Sequence, residues 1–471
     1  MSDRVTLVGL DFGTTTSSAV VAIAVLERNA VTGRTDLHDV RERFRSDMVF
    51  TPYDGDRIDL PQAEAYLDEW LAGVGDVFGG GALLTGLTAQ RENAGGLVAL
   101  IRRRLGDALI ATADDPCLES WLAFLGNCAE LSRSHPDRAI LNLDIGGGTT
   151  NLALGQDGQV RRTGCLFIGA RHVQVAVGTY GVTRLSSYAQ AVLAHLGIHK
   201  GIGDTLTEAE VTALVNYHVE LLEAAAAGEE LLDPTARRLV QVPYRPPENT
   251  NPIVTLSGGV GELVYAHLAG AAWPTTTQFG DLGIDLARRL VQSERLGRYL
   301  RTHSPKGGGR ATVYGLLRHN TEISGSTLFL PRPELLPLSD LPVLGRVSIA
   351  TPNADIANLL ERARRSPRGG GFFVELAPAD GAAVRALGDR LAAALRQAAF
   401  PERHPLVLLV RENLGKVLGH YVTEWGRLPI DLLVVDEVAV RDAQYVHLGA
   451  LHRQVVPVCF HGLREPDGHG P

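Results

Sequence analysis

Apolar positions along the chain follow two periods. Short runs are unbroken or alternate every second residue, as half-buried or fully buried strands do. Longer stretches carry apolar residues three and four apart, the stripe of an amphipathic helix. Residues 5–12 and 17–26 are apolar runs joined by Gly13, Thr14, Thr15 and Thr16, and they predict a β-hairpin, with a further strand within 43–50. Pro61 opens a predicted helix through 71, since proline suits a first helical turn. Glycines 79–81 predict a break before a short strand at 82–86. Leu97, Leu100, Ile101 and Leu105 share a helix face, residues 108–113 read as a strand, and a helix over 118–129 carries the chain onward.

The second half repeats this alternation. A strand ending at Asp144 returns through 151–154, turns at Asp157 and Gly158, and is followed by a strand at 165–169. Thr207 to Glu210 has the spacing of a capping box. The helix it opens buries Val211, Leu214, Val215, Leu221 and Leu222 and ends near Gly228; His218 lies on that face and reads as a core histidine. A proline-rich stretch, 232–251, leads to a strand and glycine-rich turn over 253–262. Residues 302–310 form a glycine-rich loop, 331–342 has the proline density of a linker or edge segment, and 369–371 is a glycine break. Beyond it come a strand (372–376), a helix (382–400), a strand (406–410), a helix (414–425) and a strand (432–440). Such alternation predicts α/β packing on a largely parallel sheet.

With 471 residues the chain has room for two or three domains, and 45% hydrophobic with 21% charged residues is the composition of a folded protein. A net charge of −8 argues against a general nucleic-acid or membrane-surface binder. Arg102, Arg103 and Arg104 then read as a solvated helix face. Four cysteines without Cys-x-x-Cys spacing read as reduced, buried thiols of a cytoplasmic protein. The apolar run 19–26 is too short to span a bilayer. Neither a Walker loop ending in Gly-Lys-Ser/Thr nor a His-Glu-x-x-His motif is present.

The candidate chemistry lies in two like turns. In the stretch 141–150 an apolar strand delivers Asp144, then Gly146, Gly147 and Gly148, then Thr149 and Thr150. Glycine tolerates the positive φ expected of such a hairpin and lets backbone amides approach a phosphate. Threonine hydroxyls can donate to phosphate oxygens, and Asp144 is placed to hold Mg²⁺ through waters. A single glycine turn is weak evidence, but residues 8–17 repeat the device with Asp11, Gly13, Thr14 and Thr15. Two copies point to two like subdomains closing on one nucleotide. A third segment runs a strand into a glycine-rich turn carrying Gly258, Gly259 and Gly261.

In this order the three segments resemble the phosphate-1, phosphate-2 and adenosine motifs of the actin, Hsp70 and sugar-kinase superfamily. More closely, the chain resembles the EutA family, the reactivating factors of ethanolamine ammonia-lyase. Further motifs carry this: Leu84-Thr85-Gly86, Glu92-Asn93-Ala94, Leu118-Glu119-Ser120, Phe279-Gly280-Asp281-Leu282-Gly283, Arg310-Ala311-Thr312-Val313, Ser324-Gly325-Ser326-Thr327, and the run from Glu412 to Gly419. The Ser-Gly-Ser-Thr and Gly-Lys-x-Leu-Gly segments are not general superfamily features.

The resemblance implies an α/β fold. Two actin-like ATPase (ribonuclease H-like) subdomains, 1–135 and 136–330, would flank a nucleotide cleft, and a C-terminal α/β region, 331–471, would complete the fold. It implies a chaperone-like factor that uses ATP and Mg²⁺ to release damaged cobalamin from an inactivated adenosylcobalamin-dependent lyase. Asp11 and Asp144 would serve as catalytic and metal-site residues; Gly13, Thr14, Thr15, Gly146, Gly147, Gly148 and Thr149 would cradle phosphates; Gly258, Gly259 and Gly261 would face the nucleoside. Homo-oligomerisation and association with a bacterial microcompartment stay open. Departures from the family pattern fall at Leu87, where an acid is usual, at Gly126 to Ala129, and at Leu316 and Leu317, which are expected to crowd the pocket. Two other readings therefore remain: a nucleotide-sensing assembly protein with little turnover, and a small-molecule kinase with Asp204 or Asp281 as base. An exposed loop carboxylate is the plainer expectation for each of these aspartates.

Overall fold

The computed structural model describes residues 3–29, 33–106, 111–113, 115–248, 250–305, 308–325, 327–377 and 379–463. Parts of the predicted strand at 108–113 and of the loop at 302–310, and Ser326 of the Ser-Gly-Ser-Thr motif, lie outside the described residues.

The first apolar run forms β1 (Asp3–Phe12), which turns into β2 (Thr16–Arg28) and then β3 (Thr35–Arg45). Short β4 (Val49–Phe50) pairs with β2, and β5 (Tyr53–Asp54) pairs with β6 (Arg57–Ile58). Helix α1 (Leu60–Trp70) has Pro61 in its first turn, with Asp59 accepting from the Gln62 amide. Then come β7 (Val77–Leu84), α2 (Ala94–Leu105) and β8 (Ala111–Ala113). Among the described residues these strands make a six-stranded sheet in the order β3-β2-β1-β7-β8, with β4 beside β2 and with β7 parallel to β1. Val8, Leu10 and Phe12 pack with Leu67, Trp70, Leu97 and Ile101 of α1 and α2. Leu7, Val20 and Ala22 pack on the opposite face. Burial of both faces explains why β1 reads as an unbroken apolar run.

Helix α3 (Pro116–Ser134), capped by Asp115, leads to a second sheet. Strands β9 (Ile140–Ile145), β10 (Thr150–Gln156) and β11 (Gln159–Leu166) form an antiparallel meander. After it come the small pair β12 (Val173–Val175) and β13 (Val182–Leu185), α4 (Ser187–His195), α5 (Glu208–Ala226), α6 (Pro234–Arg238) and β14 (Val240–Val242). The capping box of α5 is formed on both sides by Thr207 and Glu210. Strand β15 (Ile253–Ser257) runs parallel to β9 and passes into α7 (Gly258–Leu268), followed by α8 (Gly283–Gln292), α9 (Gly297–Leu300) and α10 (Ala311–His319). The order β14-β11-β10-β9-β15 repeats the meander and parallel return of the first sheet. Helix α3 packs on β9, β10 and β11, whereas α10 packs on β1 and β7 of the first sheet. The two helices cross in backbone contact: a Cβ on Gly126 would stand 1.9 Å from the Ala311 carbonyl oxygen, and one on Gly315 would stand 2.2 Å from that of Leu122.

A third sheet follows. Its elements are β16 (Glu322–Ile323), β17 (Leu338–Ser348), α11 (Asn353–Arg365), β18 (Gly370–Glu375), α12 (Gly381–Gln397), β19 (Leu406–Val410), α13 (Gly415–Val422), β20 (Leu432–Val435), β21 (Ala443–Leu448) and β22 (Pro457–Leu463). Among the described residues it has seven strands, ordered β16-β22-β21-β17-β18-β19-β20, and β17 to β20 are parallel.

The structure corrects three readings of glycine and proline. Glycines 79–81 lie inside β7, because β1 and the 320–321 turn press against them. A Cβ on Gly80 would stand 2.0 Å from the Val8 carbonyl oxygen, and one on Gly79 would stand 2.5 Å from Thr321 Oγ1. Of 369–371 only Gly369 is a break, with φ of 84°; Gly370 and Gly371 begin β18. The proline-dense 331–342 contributes to β17, an interior strand. Its register with β21 shifts between Leu338 and Leu341, just before Pro342, and such irregularity accommodates a residue without an amide donor.

All four cysteines are free and buried. His218 is buried, and burial pushes its pKa down to about 3, as a neutral core histidine. No helix among the described residues is long and apolar enough to cross a membrane.

Candidate active site

Asp11 and Asp144 occupy equivalent places, each one residue before the end of the first strand of its meander. The hairpins after them close in the same way: the Gly13 amide donates to Thr16 O at 3.0 Å and the Gly146 amide to Thr149 O at 2.9 Å. Their carbonyls are held by the protein. Thr51 and Thr88 hydroxyls donate to Gly13 O at 2.6 and 2.8 Å, and the Thr51 amide to Thr15 O at 3.0 Å. In the second hairpin Gly146 O accepts from Ala170 N at 3.0 Å, Gly147 O from Arg171 N at 2.7 Å, and Gly148 O from His172 Nε2 at 2.7 Å. His172 Nδ1 meets Ser186 Oγ at 2.8 Å, so the ring is locked, and burial lowers its pKa to about 4. Among the described residues no acceptor meets the amides of Thr14, Thr15, Gly147 or Gly148. Tethered carbonyls and free amides are the arrangement of an anion cradle.

The hairpin glycines are needed for close approach. Neither Gly13 nor Gly146, Gly147 or Gly148 has the positive φ expected from the sequence. Instead the hairpins face one another: a Cβ on Gly147 would stand 2.1 Å from Thr15 Oγ1 and 3.2 Å from Thr14 Cβ. Thr15 Oγ1 is buried and without a hydrogen-bond partner.

A cavity of about 360 Å³ lies between the two sheets. Asp11, Gly13, Thr14, Thr15, Asp144, Gly146, Gly147, Gly148, Thr149, Gly258 and Gly259 all line it. Gly261 does not; its Cα faces Leu256 of β15, with a Cβ 3.0 Å from that backbone. Glycines 258, 259 and 261 form the first turn of α7, where a glycine-rich turn was expected. Gly258 has φ of 73°, and a Cβ there would stand 2.5 Å from Ile145 O; beside Gly259 the space is open. Met48, Leu263, Ala266 and Phe279 add an apolar wall. A larger depression, about 550 Å³, involves α5 and α8, and no hairpin residue lines it.

Carboxylates dominate the polar wall. Burial raises Asp11 to about 7, helped by the Asp144 charge and opposed by the Thr85 hydroxyl 3.3 Å away. Burial raises Asp144 to about 6, against the hydrogen bond donated by Ser257 Oγ at 2.5 Å. Glu119 of α3 is pushed well above the usual carboxylate range by burial and then by Asp11 and Asp144. Asp281 is buried and raised to about 6, correcting the expectation of an exposed loop carboxylate; its Oδ1 accepts from Gly283 N at 2.9 Å, and Arg171 lies 4.0 Å from Oδ2. Asp204 is an exposed loop residue whose carboxylate accepts from Gly201 N at 2.8 Å.

Glu119 and His172 carry no role in the sequence reading. Glu119 is one acid in a helix, and only the fold sets it opposite two aspartates. Among the described residues no group of three or more His, Cys, Asp and Glu side chains is arranged to hold a metal ion. Asp11, half-buried, and Asp144, buried, have no Lys, Arg or His partner among the described residues, a donor set that fits a hard cation such as Mg²⁺.

The departures also find their places. Leu316 packs with Leu83, Leu118 and Leu122, and Leu317 with Leu7 and Val313. Neither lines the cavity, and α10 lends it Thr312, so the expected crowding does not occur. The Leu87 amide donates to Thr14 Oγ1 at 2.8 Å, and a Cβ on Gly148 would stand 2.8 Å from Leu87 Cγ. Leu87 thus helps seat one hairpin against the other.

Two repeated ribonuclease H-like sheets with a phosphate-type hairpin from each facing one cleft define an actin-like ATPase fold. A family model, that of ethanolamine utilisation protein EutA, matches residues 3–464, and the chain belongs to the EutA family. Two curated relatives are named ethanolamine ammonia-lyase reactivase EutA. The one from Salmonella typhimurium is 30% identical and the one from Escherichia coli 31%, each match covering 98% of both chains. Among solved structures, the PPX-GPPA enzyme of Aquifex aeolicus aligns with a TM-score of 0.34 at 16% identity, covering 67% of this chain and 89% of that one.

Proposed function

We propose that the protein is an ATP-dependent reactivating factor for ethanolamine ammonia-lyase or a related adenosylcobalamin-dependent lyase. The observation that carries the nucleotide part is the pair of like hairpins, tethered by their carbonyls, with free amides beside one cleft. The lyase part rests on family membership and on the names of the relatives.

The free amides of Thr14, Thr15, Gly147 and Gly148 bind the phosphate tail, and the α7 terminus at Gly258 and Gly259 borders the nucleoside. Asp11 and Asp144 would hold Mg²⁺. Bound there, Mg²⁺ supplies charge balance for the phosphates and for the buried carboxylates. Burial and the two neighbouring acids favour protonated Glu119 in the free protein; ionised once a cation balances those acids, it would be the group placed to accept a proton from an attacking water. Because each half, expected at 1–135 and 136–330, contributes one hairpin, an intact phosphate tail ties the halves together, and its cleavage releases the tie. That change, felt at a lyase surface, would free damaged cobalamin. On this reading the protein acts on the lyase without itself keeping cobalamin.

The test combines cyanocobalamin-inhibited lyase, this protein, Mg-ATP and fresh adenosylcobalamin. Ethanolamine deamination should recover only with all four present. Measurable ATP hydrolysis without recovery of any cobalamin lyase from the same cell would reject the reactivase reading. Recovery without ATP would reject closure and favour a passive binding role. The buried Asp281 beside Arg171 is the specific reason to assay small acceptors as well; their phosphorylation would select a kinase.

A further inference from the structure

The two sequence segments most particular to the family take no part in the nucleotide cleft. They meet elsewhere, at the carboxyl ends of the parallel strands β19 and β20, the usual place for ligands on an open α/β sheet. The loop after β19 supplies Asn413, and the residues directly after β20 are Asp436 and Glu437. The segment that begins at Ser324 lies across both, with the Gly325 amide donating to Asp436 O at 2.9 Å.

Two carboxylate oxygens pack closely against Gly325. A Cβ on this glycine would stand 2.5 Å from Asp436 Oδ1 and 2.7 Å from Glu437 Oε2. Both oxygens are buried and neither has a hydrogen-bond partner; Asp436 is fully buried, at 0% exposure. The remaining oxygens share few protons. The Thr327 hydroxyl, with one hydrogen, faces both Asp436 Oδ2 and Asn413 Oδ1. The Gly415 amide reaches Asp436 Oδ2 at 3.3 Å, and Asn413 Nδ2 reaches Glu437 Oε1 at 3.2 Å. Among the described residues no Lys, Arg or His pairs with either carboxylate. Burial first, and Glu437 among the lesser causes, pushes Asp436 above the usual carboxylate range. Two unpartnered anionic oxygens beside the same glycine, in a ring of oxygens short of donors, are unfavourable unless a cation neutralises them.

We propose that the carboxyl ends of β19 and β20 form a second cation site, taking a hard divalent ion of the Mg²⁺ class. Asp436 and Glu437 are its charged ligands, Thr327 and Asn413 offer neutral oxygens, and water completes the shell. Two carboxylates with retained waters are typical for Mg²⁺, which seldom uses an all-protein cage. Gly325 is required because a Cβ there would press on both carboxylates and push them out of place. None of these residues lines the nucleotide cleft, so the site stands or falls independently of the reactivase reading.

The test uses Mn²⁺ as probe, titrated into nucleotide-free full-length protein and followed by electron paramagnetic resonance. Three proteins are compared: wild type, Asp11→Asn/Asp144→Asn, and Asp436→Asn/Glu437→Gln. The cleft variant should retain a Mn²⁺ site. The third-sheet variant should bind there more than about tenfold more weakly, since loss of even an outer-shell partner costs that much. Without metal it should be no less stable to urea than wild type, because two facing charges are gone. Mn²⁺ should raise the unfolding midpoint of the cleft variant and leave that of the third-sheet variant unmoved. Gly325→Ala provides a second, isocharged perturbation and should weaken binding likewise. Wild-type affinity in both third-sheet variants, or no Mn²⁺ binding by the cleft variant, would overturn the proposal.

Discussion

Asp144→Asn removes one charge from the cleft and leaves its shape nearly unchanged. Asp144 is 7% exposed, and the Ser257 hydroxyl can donate to an asparagine oxygen as it does to the carboxylate. In the nucleotide-free protein, burial raises this carboxyl from 3.8 to about 6. A carboxyl whose folded pKa exceeds its unfolded pKa holds its proton more tightly in the folded chain. Stability is therefore lost as pH rises from the unfolded value through the folded one. At about 1.36 kcal/mol per unit, a shift of roughly two units is worth about 3 kcal/mol. About half is lost by pH 5 and nearly all by pH 8. Asparagine suffers no such loss. Removing the Asp144 charge also relieves Asp11, which that charge helps hold near 7. The variant should thus gain on wild type by at least roughly 1 to 1.5 kcal/mol between pH 5 and pH 8, the relief of Asp11 adding to the Asp144 term. Urea unfolding followed by circular dichroism at the two pH values, without nucleotide or divalent cation, measures the gain. The same substitution should abolish Mg-ATP-dependent reactivation, a site destabilised for its use. A stability difference from wild type that is equal at both pH values, or that worsens for the variant as pH rises, would refute the electrostatic account.

Gly147→Val should drive the hairpins apart, because even its Cβ would stand 2.1 Å from Thr15 Oγ1. Overpacking on the order of 1–3 kcal/mol should appear as weaker ATP binding by calorimetry, and unchanged affinity in a folded variant would reduce the hairpin to a turn. Glu119→Gln should cut ATP turnover on the order of 100-fold or more while leaving nucleotide affinity within a few-fold; an equal loss of both would assign Glu119 to binding instead. His172→Ala leaves the Gly148 carbonyl without its donor and should weaken nucleotide binding by about 1 kcal/mol. That loss should be the same at pH 6 and pH 8, since a ring lowered to about 4 is neutral at both.

The hairpins were legible in the sequence because their chemistry is local. An aspartate at a strand end, glycines, and hydroxyls are all contiguous, and the repeat at Asp11 and Asp144 is visible without the fold. The reason for the glycines was not legible. Their φ values are ordinary, and the need for them arises from Thr14 and Thr15 approaching Gly147 and Gly148 across more than a hundred residues of chain. Glu119, Asp281 and His172 were hidden for the same reason: each is a single polar residue whose partners come from other elements. The glycines of β7 and Pro342 in β17 misled because local propensity was overruled by strand pairing and by close neighbours. The turn expected at Gly258 became a helix terminus, since the first turn of a helix and an irregular turn look alike in glycine-rich sequence.

The crossing of α3 with α10 has a mechanical consequence. Each helix rests on the sheet of the other half, and they touch where Gly126 meets Ala311 and Gly315 meets Leu122. Interlocked side chains would confine such a crossing to a preferred angle. Here backbone meets backbone, and Leu316 of α10 packs against Leu118 and Leu122 of α3 beside the contact, so the crossing is held firmly. If the halves close as proposed, this crossing is the rivet of the scissors, the fixed base about which the two hairpins would approach and part.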